Sequence, residues 1–268
     1  MVEDRLESDQ APGSDKQGSA QAVRLREVPA VRRAVAILQH LAHHPDGQGV
    51  SRIARELDII PSTCLHILRE LASAHLVKFD PHGKLYRLGF GVLSLARQLS
   101  SHDPTIQVVT RQLNGFSHKY GTSISGQMRE GEDIVIVATA VGNEGLEAPL
   151  GRRLPCLSAA GGRLFAGSSG WSQERLLHNF TKVKWQDPPP FNVWLGEVEL
   201  AKRQGYAIDE GRFRLGITSI AAAIRGRDES VILAISVNLV SVQLEAQHRS
   251  DLIQALRMTA KEVEASLL

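Results

Sequence analysis

The sequence predicts an α+β protein in two parts: a small helical domain closed by a β-hairpin, then a larger domain of helices around a largely antiparallel sheet. Three observations carry that reading. Between residues 29 and 90, three short apolar-periodic stretches separated by turn residues run into two brief β-type runs around Asp80-Pro81-His82-Gly83. From residue 104 onward helical and strand-like stretches alternate, with strand pairs expected near 123–141 and 217–239. With 268 residues, 43% hydrophobic and 22% charged, the chain has apolar material for two cores.

Residues 1–22 are polar and rich in Asp, Gln, Ser and Gly, so a disordered tail is expected over 1–28. A first helix is predicted from Val31 to Ala42, because Val31, Ala34, Val35, Leu38, Leu41 and Ala42 share one helical face. His43-His44-Pro45-Asp46-Gly47 ends it. A short second helix is capped by Ser51 and buries Ile53, Ala54 and Leu57. After the turn Asp58-Ile59-Ile60, Pro61 opens a third helix to about His75, where its missing N–H does no harm. This helix buries Cys64, Ile67, Leu68 and Leu71 and shows Ser62, His66, Arg69 and Ser73 on its other face, with Thr63 beside them. Leu76–Phe79 and Lys84–Leu88 are the hairpin strands. Helix, short helix, tight turn, helix and hairpin make a winged helix-turn-helix over 29–89.

A linking helix is expected over 90–103, where Leu88, Val92, Leu95 and Leu99 form one apolar stripe and Leu93 and Ala96 a second. So broad an apolar surface needs a cover, and a second copy of the chain is the simplest one. Residues 104–268 form the second domain, with helices near 106–120, from 159, at 192–204 and at 247–267.

Charge separates the two parts. The net charge of +2 comes from 31 basic and 29 acidic side chains, but residues 29–102 hold 9 basic against 5 acidic and 7 of the 10 histidines. Residues 103–268 hold 18 of each sign, so a polyanionic partner is expected to meet the first domain. That partner is double-stranded DNA, with the third helix in the major groove. Ser62, Thr63, His66 and Arg69 face the bases, Arg69 pairing with a guanine edge or holding a phosphate. Arg32, Arg33 and Arg52 near helix starts, and Lys84 and Arg87 in the wing, are candidate phosphate contacts. An aromatic content of 5% argues against a single-strand stacking platform.

Other chemistry is scarce. No G-x-S-x-G elbow, H-E-x-x-H pair or phosphate-loop ending is present, and Asp209 with Ser236 lacks a third orienting group, so no catalysis and no cofactor are expected. His40, His43 and His44 have the spacing to gather imidazoles, but with only Asp46 nearby no metal is expected. Cys64 reads as a core residue and Cys156 as a candidate pocket-lining one. No apolar run approaches a membrane span and no leader pattern opens the chain, so a cytoplasmic protein away from membranes is expected. On residues alone a metabolite-binding enzyme and a ligand-independent DNA-architectural protein remain as alternatives.

The chain resembles the IclR-type family of bacterial transcription regulators. In the first domain the likeness rests on Val31-Arg32-Arg33-Ala34-Val35-Ala36-Ile37-Leu38, Ile53-Ala54-Arg55-Glu56-Leu57, Pro61-Ser62-Thr63, Leu68-Arg69-Glu70-Leu71 and Tyr86-Arg87-Leu88-Gly89. In the second it rests on Leu154-Pro155, Ser158-Ala159-Ala160-Gly161, Gly205-Tyr206-Ala207-Ile208-Asp209, Gly216-Ile217-Thr218-Ser219-Ile220-Ala221-Ala222 and Ala234-Ile235-Ser236-Val237. The resemblance implies a GAF-like effector-binding domain, a homodimer or homotetramer, a partly palindromic operator, and a small organic or aromatic acid as effector. Mapped by motif, it puts the effector at Ala159, Ala160, Asp209, Ile217, Ser219, Ser236 and Asn238. Three positions depart from the family pattern: His66 in place of arginine, Ala223 in place of proline, and Arg212 in a stretch that is often acidic.

Period-two alternation puts Ile217 with Ser219, and Ser236 with Asn238, on one face of each strand. Amides at the start of the helix near Ala159-Ala160 are expected to receive a carboxylate. Asp209, which repels one, is expected to accept from a ligand hydroxyl or a bridging water. The plainer alternative is that Ser219 and Ser236 satisfy each other within the sheet.

Overall fold

A computed structural model describes residues 27–267, so the tail expected over 1–28 lies outside the described residues except for Glu27 and Val28. Proline opens the first helix, α1 (Pro29–Ala42), as it does the third. The buried stripe of α1 is Ile37 and Leu41, while Val31 and Val35, expected inside, are exposed. The second helix, α2 (Val50–Glu56), starts earlier than expected. Gly49 is the N-cap and Ser51 lies within the first turn without a capping bond. The cause is upstream, where Gln48 pairs with Tyr86 of the hairpin through two backbone hydrogen bonds of 2.8 and 2.9 Å. That bridge delivers the Gly49 carbonyl to the Arg52 and Ile53 amides.

Left-handed Asp58 (φ 52°) turns the chain into α3 (Pro61–Ser73). The hairpin is β1 (Val77–Asp80) with β2 (Leu85–Leu88), in register Val77↔Leu88 to Asp80↔Leu85. Lys84, expected in the strand, instead closes the turn at φ 50°, the left-handed residue such a loop needs to reverse the chain. Ile37, Leu41, Ile53, Cys64, Leu68, Val77 and Tyr86 form this core. Gly89 passes so close to the His75 carbonyl that a Cβ there would lie 2.2 Å from its oxygen. The chain then enters α4 (Gly91–His102). The described residues divide into two units between Ser94 and Leu95, inside this helix.

In the second unit Asp103 caps α5 (Pro104–Tyr120), accepting from the Thr105 and Ile106 amides at 2.8 and 3.2 Å. The strands are β3 (Ile124–Glu130), β4 (Asp133–Ala140), β5 (Arg153–Pro155), β6 (Tyr206–Glu210), β7 (Ile217–Arg225) and β8 (Val231–Val240). They form one antiparallel sheet in the order β5-β4-β3-β8-β7-β6. The helices α6 (Ala159–Ser168), α7 (Gln173–Lys182), α8 (Phe191–Gln204) and α9 (Ala246–Leu267) complete the unit.

Helices α5 and α9 cover one face of the sheet, where Val109, Leu113 and Leu256 meet Ile220, Leu233, Ile235 and Val237. Helices α6 to α8 cover the other, where Leu164, Phe165, Phe180 and Trp194 meet the small Ala221, Ala223 and Ala234. A β-bulge in the β3–β4 pair, where Gly126 faces Ala138 but Gln127 faces Ile136, inserts Val137. It puts Ala138 and Ala140 in the α5 core and turns Ile134 to the α6 side. The α+β, GAF-like expectation holds. The strands β5 and β6 and the helix α7 are additions to it.

Candidate DNA interface and ligand cavity

On α3, Ser62, His66, Arg69 and Ser73 are exposed and Thr63 is half-buried, while Cys64, Leu68 and Leu71 hold the helix to its core. The polar face is thus turned outward by its apolar opposite. Arg69 and Lys84 line one groove between α3 and the hairpin, floored by Leu65, Ala72 and Phe79. Arg87 is exposed on β2 and its side chain passes close over Gly47. Arg32, Arg33 and Arg52 are exposed as well, but two are engaged. Arg32 pairs with Glu27 at 2.8 Å, and Arg52 with Glu56 of its own helix at 2.8 Å. The structure therefore gathers Arg69 and Lys84 into one groove and leaves the other cations spread over separate elements.

A cavity of about 360 Å³ opens on the α6 side of the sheet. The cross-strand pairs Asp209↔Ser219 and Ser219↔Asn238 bring three of the expected residues onto one face. Ala159, Asp209, Ile217, Ser219 and Asn238 all line the cavity, with Ile136, Leu154 and Phe213 as its apolar wall. Ser219 and Asn238 have no side-chain hydrogen bond to another described residue, so both are available to a ligand. Half-buried Arg152 and exposed Arg214 reach the same cavity, and neither has an acidic partner among the described residues.

Two expected residues are elsewhere. Ala160 is fully buried in the α6 core. Ser236 is 1% exposed and lies behind the wall, where it accepts from Gln127 Nε2 at 2.6 Å and pairs with Ser125 Oγ at 3.1 Å. Ser236 is thus a support for Gln127, and its partner is not Ser219. Gln127 Oε1 has no hydrogen bond and rests against Gly161, where a Cβ would come within 2.2 Å. Asp209 is also more constrained than expected. Its Oδ2 accepts from the Phe213 amide at 3.0 Å, and its Oδ1 lies 3.0 Å from Arg163 Nη1, both side chains being 2% exposed. The pair lacks an aligned hydrogen bond at Oδ1, since Arg163 donates to the Ala159 carbonyl at 2.8 Å and to Glu197 at 2.7 Å. Asp209 therefore meets the cavity as half of a buried ion pair, which removes most of its repulsion for an anion.

Sequence comparison identifies residues 97–265 as the C-terminal domain of IclR bacterial transcriptional regulators and residues 30–81 as the IclR helix-turn-helix domain. The chain belongs to the IclR family of bacterial transcriptional regulators. It is a regulator with a DNA-binding and a small-molecule-binding domain, and not an enzyme. The IclR-family repressor AllR of Escherichia coli K12 is 26% identical over 260 residues, which span 93% of this chain and 94% of AllR. AllR of Salmonella typhimurium matches to the same extent. An IclR regulator from Alicyclobacillus acidocaldarius has the same fold, with a TM-score of 0.77 at 20% identity over 90% of this chain and 99% of that one. An IclR homologue from Microbacterium hydrocarbonoxydans, solved with 4-hydroxybenzoate, superposes with a TM-score of 0.73 at 20% identity over 89% of this chain and 98% of that one. Among the described residues no helix is long and apolar enough to cross a membrane.

Within this IclR frame, several cavity residues carried no signal in the sequence. Arg152 and Arg214 sit in loops and Gln127 on a strand, and Arg163, behind the cavity as the partner of Asp209, lies within a helix where a charge normally reads as surface. Arg212, one of the departures from the family pattern, pairs with Asp187 and lies beside Arg163 and Glu197. Cys156 is 1% exposed in the α6 core rather than in the cavity, and burial pushes its thiol up to about 11. The sulfur is therefore a protonated core group.

Proposed function

We propose that this IclR-family chain binds a partly palindromic operator through Ser62, Thr63, His66 and Arg69 and releases or engages it in response to a small carboxylic acid. The observation that carries the effector class is the charge arrangement of the cavity. Arg152 and Arg214 bring two positive charges against the one exposed carboxylate of Glu147, Asp209 being paired with Arg163, and Ser219 and Asn238 offer neutral polar groups beside an apolar wall. An anion with an apolar body and a hydroxyl fits those three features together. The 4-hydroxybenzoate bound by the structural neighbour has the same three, which supports this reading.

Two copies of the chain would present their α3 helices to half-sites about 34–36 Å apart. The apolar side chains available to hold two copies together are Leu93, Leu95 and Leu99 of α4, each more than half exposed. Lys84, Arg87, Arg32, Arg33 and Arg52 then serve phosphates, the paired ones exchanging a carboxylate for a phosphate oxygen. Such a regulator works in the cytoplasm, where its DNA is.

The test is fluorescence anisotropy on the chain's own upstream DNA, at fixed salt, for wild type, Thr63→Ala and Arg69→Ala. A base-contacting pair contributes roughly 1–3 kcal/mol per subunit, so Arg69→Ala in a dimer is expected to lose at least about thirtyfold. Wild-type affinity in both variants would refute the assignment of α3 as the reading helix.

A further inference from the structure

We propose that His40, His44 and Glu56 form a binding site for a late first-row divalent metal ion, zinc being the best match, inside the helix-turn-helix unit. The site differs from the His40, His43 and His44 grouping suggested by spacing. His43 is exposed and its ring is not gathered with the others, whereas Glu56 is brought in from α2. One ligand atom from each of His40, His44 and Glu56 lies within 4.8 Å of the others.

The hydrogen bonds around these side chains prepare them as ligands. His44 Nδ1 lies 2.7 Å from the His40 carbonyl oxygen, which can only accept, so Nδ1 carries the proton and Nε2 keeps its lone pair. A ligating histidine tied through its other nitrogen to a backbone carbonyl is the usual outer-shell arrangement of zinc sites. The His40 and His44 rings stand side by side, 4.3 Å between centroids, His40 in the last turn of α1 and His44 just past its end. Glu56 Oε1 accepts from Arg52 Nε at 2.8 Å, which orients the carboxylate. Its other oxygen, Oε2, lies 3.5 Å from His40 Nε2.

His40 Nε2 donates to Gln48 Oε1 at 2.9 Å. A metal ion would replace that proton and leave the Gln48 oxygen beside it as a neutral fourth donor. Two imidazoles with a carboxylate suit zinc and its neighbours far better than magnesium or calcium, which take all-oxygen sets. Two ligands at about 2.0–2.2 Å from zinc can stand no more than roughly 4 Å apart. The 3.5 Å between Glu56 Oε2 and His40 Nε2 already meets that limit, and the 4.8 Å spread of the set closes by side-chain rotation.

The ion would clamp α1 to α2. It would also hold Gln48, whose backbone is bonded to Tyr86 in the hairpin, so three parts of the winged helix would be tied at one point. The experiment uses the full chain, stripped with a chelator, dialysed, and titrated with Zn²⁺ by calorimetry and with Co²⁺ by visible absorption. The expected result is one ion per chain, cobalt bands of tetrahedral intensity, and a rise in melting temperature with zinc. His44→Gln and Glu56→Gln should each weaken binding at least tenfold, with circular dichroism showing that both variants remain folded. His43→Gln should bind as wild type does. Failure to take up one ion per chain, binding unchanged in both ligand variants, or loss on His43→Gln would each overturn the site.

Discussion

Replacing Arg163 with methionine removes the counter-charge of Asp209 and so tests whether this pair, rather than the ligand, supports Asp209. Both side chains are 2% exposed, so the stranded carboxylate keeps the Phe213 amide as its one hydrogen-bond donor from the described residues. Breaking a buried pair from one side costs about 3–5 kcal/mol, because the remaining charge stays desolvated and unpaired. The lost bond to Glu197 adds little, since that carboxylate is 39% exposed. At about 2–4 °C per kcal/mol for a domain of this size, the second unit should melt roughly 10 °C lower.

The reverse change, Asp209→Leu, should cost less, because Arg163 keeps Glu197 and the Ala159 carbonyl. Combining both changes should recover much of the loss, since no buried charge is then left alone. Urea unfolding of the three variants followed by circular dichroism supplies the comparison. A loss below about 1 kcal/mol for Arg163→Met, or a larger loss for Asp209→Leu alone, would refute the reasoning.

Three further outcomes are expected. Gly161→Ala places a methyl group against Gln127 Oε1, so it should weaken acid binding by calorimetry while operator affinity in the absence of ligand stays at the wild-type level. Native Cys156 binds its proton more tightly than the unfolded chain does, so its contribution to stability should be constant below pH 9 and be lost as the pH rises from 9 towards 11. The fall should reach about 2–3 kcal/mol and should be absent from Cys156→Ala in parallel urea titrations, whereas equal slopes in the two proteins would contradict it. Leu95→Glu should yield smaller particles than wild type by analytical ultracentrifugation, and an unchanged oligomer would show that α4 is not the contact between copies.

Regular helices were legible because each has one apolar face: Cys64, Leu68 and Leu71 mark α3 at helical spacing, and Leu41 marks α1, although Ile37, its most buried residue, was not in the expected stripe. Val31 and Val35 follow the same period yet are exposed, since periodicity reports an apolar face and not what covers it. Strand parity was harder to read. Ile134, Ile136, Ala138 and Ala140 alternate without a break, but the bulge at Val137 moves the first two to the α6 side, and no residue type in the run announces it. The three-residue β5 is too short for a pattern, and β6 lies directly after Gly205, where no strand was expected.

The cavity was partly legible. Asp209, Ile217, Ser219 and Asn238 were expected together, and cross-strand pairing unites them. Ala160 and Ser236 share those segments but face the α6 core and the Gln127 support. Arg163 could not be read, because its partners Asp209 and Glu197 are distant in sequence and meet it only after α6, α8 and β6 have packed. The same holds for Glu56 beside His40, which tertiary packing rather than helical spacing brings close.

The central claim is that cavity and operator are coupled through one chain. The direct measurement is operator affinity by anisotropy, with and without a saturating hydroxylated aromatic acid, alongside the acid's affinity with and without operator DNA. Coupling of about 1–3 kcal/mol predicts a change of roughly 5- to 150-fold, equal in the two directions. Arg152→Ala with Arg214→Ala should abolish that change and leave ligand-free operator affinity intact. If the acid binds and operator affinity does not move, or if the effect persists in the double variant, the cavity is not the control site.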